Sequence, residues 1–325
     1  MMKQNDFLDI IKFSLSLMVL GIHVGLNVSF KGFDLVYPWV RLAVPLFFII
    51  SGYIFFGRIK DLKDSRNDLA KFIIRVSKLY LFWFLLLLPI ILYTRSKVWF
   101  GHGIVLGILY FLRSLFLGST FTASWFLSAL LLSTVVVYYV SKIFNTLTVL
   151  IVCSVPFAFC VAESSYGLCA GWGNGWYNSF LVALVWTAMG KYFAEKSEDD
   201  HLPKMRLVIG AAICLLLYWS EWYWRYNVTG SKKFDCYGML LPVCFIIFDL
   251  ILRIRCHFRY AKQLRSLSVV IFCLHGSVAG FVPFRSFDSS QTLRTLIVLI
   301  CCIGVYVALC RISKIKGLGW IRCSY

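Results

Sequence analysis

The sequence predicts an all-α, polytopic integral membrane protein: a bundle of about ten transmembrane helices with both termini cytoplasmic. Three observations predict it. Sixty per cent of the 325 residues are apolar, with a mean hydropathy of +0.79, which excludes a soluble globular protein (60%, 325 residues). The apolar residues gather into runs of spanning length. The basic residues fall mostly into alternate connections between those runs.

The expected spans are 7–28, 37–57, 74–94, 123–141, 147–163, 177–194, 205–224, 236–253, 266–284 and 292–312. The run 102–118 is also apolar, but it is short and carries His102 and Arg113. The basic residues decide its status. With ten spans and the N-terminus inside, 23 of the 33 Lys and Arg are cytoplasmic. If 102–118 crossed, 14 basic residues from Lys142 onward would lie outside. The sequence therefore predicts that 102–118 does not cross and that the 58–73 connection is cytoplasmic. The net charge of +18 is mostly this topology signal. It is divided among short loops that can meet anionic lipid headgroups, and nucleic acid is not an expected partner. The N-terminus is only superficially like a signal peptide, since its apolar run is too long.

One membrane domain over 1–325 is expected, with no soluble domain, long linker or internal repeat. All twelve cysteines follow residue 150, most of them inside expected spans, where cysteine is a small hydrophobe. No Cys-x-x-Cys pair occurs, so no metal is expected. Cys169 and Cys236 fall on the same expected outer side and could pair.

The first span carries the sharpest chemistry. His23 follows Lys12 by eleven residues, a rotation of about three turns plus 20° and a rise of about 16 Å. Asp9 falls about 40° to the other side of His23. The three ionisable groups thus form one stripe, and such groups at membrane depth face a bundle interior or a water-filled cavity. A cation near one end and an imidazole near the other suit an anionic donor and proton chemistry upon it.

Each residue also has a plainer reading. His23 could be a structural histidine, or the proton relay of a transporter. Lys12 could snorkel to the inner interface, and Asp9 could simply pair with it at i,i+3. Arg75 and Lys78 lie at the same inner level, as pocket residues or as ordinary positive-inside residues. Arg41, at the outer start of the second span, lines the site or snorkels. Ser51 could bond the reacting groups, and Gly52 could leave room for the donor. Both could instead serve close helix packing. His275, late in the chain, is a further possible participant.

Eight of the eleven tryptophans (39, 99, 125, 172, 176, 219, 222, 224) fall at or near the outer face. That excess suits stacking on sugar rings, or one side of an aromatic belt. The loop Gly171–Tyr177 is the expected acceptor loop, with Trp172, Trp176 and Tyr177 beside Trp125 as acceptor contacts. Glu221 and Arg225, one turn apart, are expected to pair at the rim.

These residues carry a resemblance. Asp9, Lys12 and His23, followed by Val44-Pro-Leu-Phe-Phe-Ile-Ile-Ser-Gly-Tyr53, resemble the membrane acyltransferase 3 family. Arg75 with Tyr80, Trp125-Phe-Leu127, Gly190 and the segment Leu267–His275 extend the likeness along the chain. Lys12 stands where Arg is commoner, and Lys78 where Pro is usual. In size and layout the chain is most similar to surface-polysaccharide O-acetyltransferases, those of enterobacterial common antigen type.

The resemblance implies an O-acyltransferase of the bacterial plasma (inner) membrane with no permanently bound cofactor. Acyl-CoA, most simply acetyl-CoA, would be the donor, bound by Lys12, Arg75 and Lys78 with Ser51 and Gly52. A glycan or lipid-linked sugar would be the acceptor. His23 would act as general base or acyl-enzyme relay, with Asp9 beside it. The alternative is a transporter or flippase for a sugar or lipid-linked substrate.

Overall fold

The computed structural model describes residues 5–24, 33–59, 61–62, 64–101, 103–168, 179–196, 203–229, 236–281 and 291–324. Among these every regular element is helical: α1 (Asp6–Val24), α2 (Phe33–Val40), α3 (Ala43–Phe56), α4 (Arg66–Phe100), α5 (Ile104–Leu117), α6 (Ser124–Val140), α7 (Thr146–Val161), α8 (Phe180–Glu195), α9 (Lys204–Thr229), α10 (Leu240–Arg253), α11 (Ala261–Phe281) and α12 (Gln291–Ile312). A π turn, Ala162–Tyr166, prolongs α7, and a 3₁₀ turn, Gly319–Ser324, follows α12.

Seven helical stretches among the described residues are long and apolar enough to cross a membrane: Asp6–Val24, Val36–Phe56, Arg66–Ser96, Thr146–Tyr166, Met205–Thr229, Ala261–Phe281 and Thr292–Ile312. The other three expected spans appear as the shorter helices α6, α8 and α10. Leu85, Phe116, Leu216 and Ile300 are each more than half exposed. Such bands along α4, α5, α9 and α12 are apolar surface that lipid, not water, solvates.

The chain forms two compact units, each assembled from separate stretches. The first comprises Met1–Leu8, Asp34–Asp68 and Leu132–Phe258. Its centre is α8, packed on α3 and α7. Here small residues set the geometry. A Cβ on Gly52 would stand 2.7 Å from the Thr187 carbonyl oxygen. One on Gly190 would collide with the Ile49 carbonyl and the Tyr53 amide. The two helices therefore meet backbone to backbone, as small residues allow between membrane helices.

Several buried polar groups in this unit bond to one another. Ser133 and Thr187 hydroxyls lie 2.9 Å apart, fully buried. Lys191, 3% exposed at its side chain, donates to Glu195 and Thr146 at 2.6 Å. Asp249 receives Lys196 at 3.4 Å and Arg253 at 2.8 Å. Asn145 and Ser179 cap the starts of α7 and α8, each accepting a bond from a first-turn amide.

The second unit comprises Asp9–Phe33, Leu69–Leu131 and Arg259–Tyr325. Helix α4 has 35 residues, so a straight version would be about 52 Å long. It is bent. Phe111 of α5 touches both Phe84 (6.3 Å between ring centres) and Trp99 (5.1 Å). Those two positions would stand about 22 Å apart on a straight helix. Pro89 lies between them and supplies the break.

Helix α5 lies in the crook, with Trp99 Nε1 donating to Ser114 Oγ at 3.0 Å and Tyr80 OH to the Leu115 carbonyl at 3.1 Å. It has 14 residues, about 21 Å, against a hydrocarbon core of about 30 Å. Gly118, in the left-handed region, ends it (φ 71°). The following turn is held by Ser124 Oγ, which accepts from the amides of Thr120 and Phe121 at 3.1 Å.

Candidate functional site

In the second unit α1 and α11 are joined at both ends. At one end Asp9, 4% exposed, accepts Lys12 at 3.6 Å and Arg265 at 3.4 Å. At the other, the His23 and His275 rings lie 5.1 Å apart, tilted by 41°. Asp9 precedes His23 and Arg265 precedes His275, so the two helices run parallel. Each carries a cation toward one end and a histidine toward the other.

The histidine end is built with care for position. His275 is buried, at 1% exposure. Its Nδ1–H donates to the Ile271 and Phe272 carbonyls, each at 2.9 Å. Carbonyl oxygens only accept, so the proton sits on Nδ1. In the neutral ring Nε2 is then a bare acceptor, and it has no hydrogen-bond partner among the described residues. His23, in contrast, is exposed. Arg294 of α12, itself 9% exposed, donates to the carbonyls of Val24 and Ala279, both at 2.8 Å. Val24 follows His23, and Ala279 lies one turn beyond His275. One guanidinium therefore ties the ends of both histidine-bearing helices. Thr122 fills the notch left by Gly276, where a Cβ would overlap its side chain. A cavity of about 510 Å³ opens beside this point, walled by parts of α4, the 120–122 turn and the residues that follow His275.

The opposite end is cationic. Arg265 and Arg75 both lie within electrostatic reach of the Lys12 ammonium. Lys12, Arg75 and Arg265 thus gather at the end of α1 that carries Asp9. Lys78 is exposed one turn along α4 from Arg75.

The structure thus brings Lys12, Arg75 and Asp9 together, and His23 with His275, about 16 Å apart along α1. It places Asp9 with Lys12 and Arg265 rather than at His23, from which it is about 21 Å distant along the helix. Trp125 sits half-buried at the start of α6, edge-on to Phe126. Ser51, Gly52 and Arg41 belong to the first unit. Ser51 Oγ donates to the Phe47 carbonyl of its own helix at 2.7 Å. The room that Gly52 was expected to leave for a donor is filled by the backbone of Thr187. Arg41 stacks over and bonds Tyr37.

The expected Glu221–Arg225 pair is replaced by other bonds. Glu221 accepts from Tyr166 OH and the amides of Gly238 and Met239, all at 2.8 Å. Those amides precede α10, whose exposed start needs an acceptor more than Arg225 does. Arg225 lies over the rings of Tyr166 and Trp224 instead. Tyr80, beside the site in sequence, anchors the Thr120 hydroxyl at 3.0 Å. Trp172, Trp176, Tyr177, His102 and Cys169 lie outside the described residues.

Arg265 and Arg294 were not singled out from the sequence. Arg265 reads as one more basic residue before a span. Arg294 had a usable signal, a charge one turn inside an apolar run.

A family model described as an acyltransferase domain matches residues 5–311, nearly the whole chain. The chain belongs to the acyltransferase 3 family. Two relatives carry another name. A serine/alanine racemase of Enterococcus gallinarum is 26% identical over 294 residues, covering 81% of this chain and 39% of the relative. An amino-acid racemase of Enterococcus faecalis is 22% identical over 291 residues, covering 80% and 39%. The chain spans about two fifths of the length of these relatives, so their names do not locate racemase activity in the shared part. Neither relative is named an O-acetyltransferase, and the narrower likeness to surface-polysaccharide enzymes rests on the sequence motifs. No solved structure matches the chain.

Proposed function

We propose that this acyltransferase 3 protein moves a short acyl group, most simply acetyl, from acyl-CoA to a hydroxyl of a surface polysaccharide or lipid-linked sugar. It does so in the bacterial inner membrane, with ten crossings and both termini cytoplasmic. The observation that carries the reading is the two-ended α1–α11 pair. One end gathers Lys12, Arg75 and Arg265, and the other sets His23 against His275. An acyl-CoA has this form, with phosphates at one end and a thioester at the far end of a flexible arm.

In the reaction the acceptor oxygen attacks the thioester carbon. The carbon–oxygen bond forms and the carbon–sulfur bond breaks. The hydroxyl proton passes to the exposed imidazole of His23, and the CoA thiolate leaves and takes up a proton. His275, held by its Nδ1–H and packed ring to ring against His23, is a positioning residue for His23. The basic end supplies charge attraction for the donor phosphates. Lys12 does so without the bidentate fork of an arginine, and Arg265 adds that fork from α11.

The test is acyl transfer from radiolabelled acetyl-CoA to membrane glycans at matched protein levels. His23→Ala is expected to lose about 10²–10⁴-fold in rate, the usual worth of a general base, while inserting normally. Activity within a few-fold of wild type would remove His23 from the mechanism.

A further inference from the structure

We infer that Arg294 is a positioning residue of the reaction, holding the histidine-bearing ends of α1 and α11 at the one spacing that sets His23 against His275. This role rests on the acyl-transfer reading and adds a residue of α12 to that same site.

The charge is costly where it stands. Arg294 is 9% exposed and lies within Thr292–Ile312, a stretch long and apolar enough to cross a membrane. An ionised group there needs specific partners. Its partners are on two other helices of the same unit. Nη1 donates to the Val24 carbonyl of α1 and Nη2 to the Ala279 carbonyl of α11, each at 2.8 Å.

Both carbonyls are ones that helix geometry leaves open. Val24 is the last residue of α1, and Ala279 lies two residues before the end of α11 at Phe281. The last four carbonyls of a helix have no amide of their own helix to bond. Because α1 and α11 run parallel, their negative ends meet here, and one cation answers both.

The other bonds at hand do not set this spacing. The Nδ1–H of His275 donates to Ile271 and Phe272, which fixes the ring on α11 but does not fix α11 on α1. The Asp9–Arg265 bridge does join the two helices. It lies about 22 Å from Val24 along α1, too far to govern two rings at this end. Arg294 is the second junction. A guanidinium suits it, being planar with donors held at a fixed separation, whereas an ammonium is a point charge. Val24 adjoins His23, and Ala279 shares the His275 face of α11 one turn on. An error in the junction therefore passes directly to the two rings, and misplacement by about 1 Å can cost on the order of 10²-fold in rate.

The test compares Arg294→Met and Arg294→Lys with wild type in lipid nanodiscs, at matched monodisperse protein. Methionine removes a charge from an apolar run, which favours insertion. Arg294→Met is expected to lose about 10- to 100-fold in kcat, with KM for acetyl-CoA changed less than about twofold because the Lys12 end is remote. Arg294→Lys keeps the charge and is expected to fall between, and it carries the same split should the methionine variant aggregate. In a His23→Ala background Arg294→Met is expected to lose little further, since its effect runs through that ring. A second readout needs no turnover: diethyl pyrocarbonate labelling mapped by peptide mass spectrometry. In wild type the exposed His23 is expected to react and His275, 1% exposed, to be protected. Both Arg294 variants are expected to open His275 to the reagent. An unchanged kcat, a fall in kcat matched by an equal rise in KM, or a His275 still protected in both variants would overturn the inference. Retained transfer in His23→Ala would instead break the acyl-transfer reading, while Arg294-dependent protection of His275 would leave the junction itself standing.

Discussion

The α3–α8 contact in the first unit and the α1–α11 contact in the second are both built from residues of the family motifs, yet they are opposites. In the first, glycines let two backbones touch, and the Ser133 and Thr187 hydroxyls beside them bond to each other. In the second, the joining groups are ionisable, and at the histidine end a buried nitrogen is left open. Burying an unpartnered polar atom costs free energy that packing would not incur. On the proposed function, the comparison separates motif residues that hold the bundle from motif residues kept for reaction. Gly52 and Ser51 fall on the first side, and His23, His275 and the Lys12 end fall on the second.

The sharpest way to break the comparison is to add volume to the packing pair. Gly190→Leu would force the α8 backbone away from Ile49 and Tyr53. Overpacking costs about 1–3 kcal/mol even where a core can yield, and backbone contacts yield least. The expected outcome is loss of folded protein, seen as aggregation in fluorescence-detected size exclusion, and activity lost in proportion. A monodisperse, active Gly190→Leu would mean the close approach is not needed.

At the reactive pair the pattern reverses, with folding kept and function changed. Lys12→Met is expected to weaken acetyl-CoA binding about tenfold, a loss on the order of 1.4 kcal/mol. Lys12→Arg should bind at least as well as wild type, since Arg keeps the charge and adds the fork. Calorimetric titration of purified protein checks both. Equal affinity in Lys12→Met would make Lys12 an interfacial anchor held by Asp9.

Much of this arrangement was legible in the sequence. The helical class follows from the apolar runs, and the Lys12–His23 stripe follows from helical periodicity alone. The partners were harder, because they arrive from far along the chain. His275 looks like a packing residue until α11 is laid beside α1, and Arg265 looks like any positive-inside arginine until it meets Asp9. Gly52 was ambiguous because a missing side chain reads the same whether a ligand or a helix fills the space. Helix lengths also differ from the apolar runs. A run shows where lipid is tolerated, whereas bends such as that at Pro89, and caps such as Gly118, decide where a helix stops.

The central claim is that His23 and His275 act as one unit. A double-mutant cycle in transfer rate, with His23→Ala, His275→Ala and the double variant at matched folded protein, tests it most directly. Groups that work together are strongly non-additive. The account predicts that the double variant is about as slow as His23→Ala alone. Losses that multiply, each variant contributing its full factor in the other's background, would show that the two histidines act independently and would contradict it.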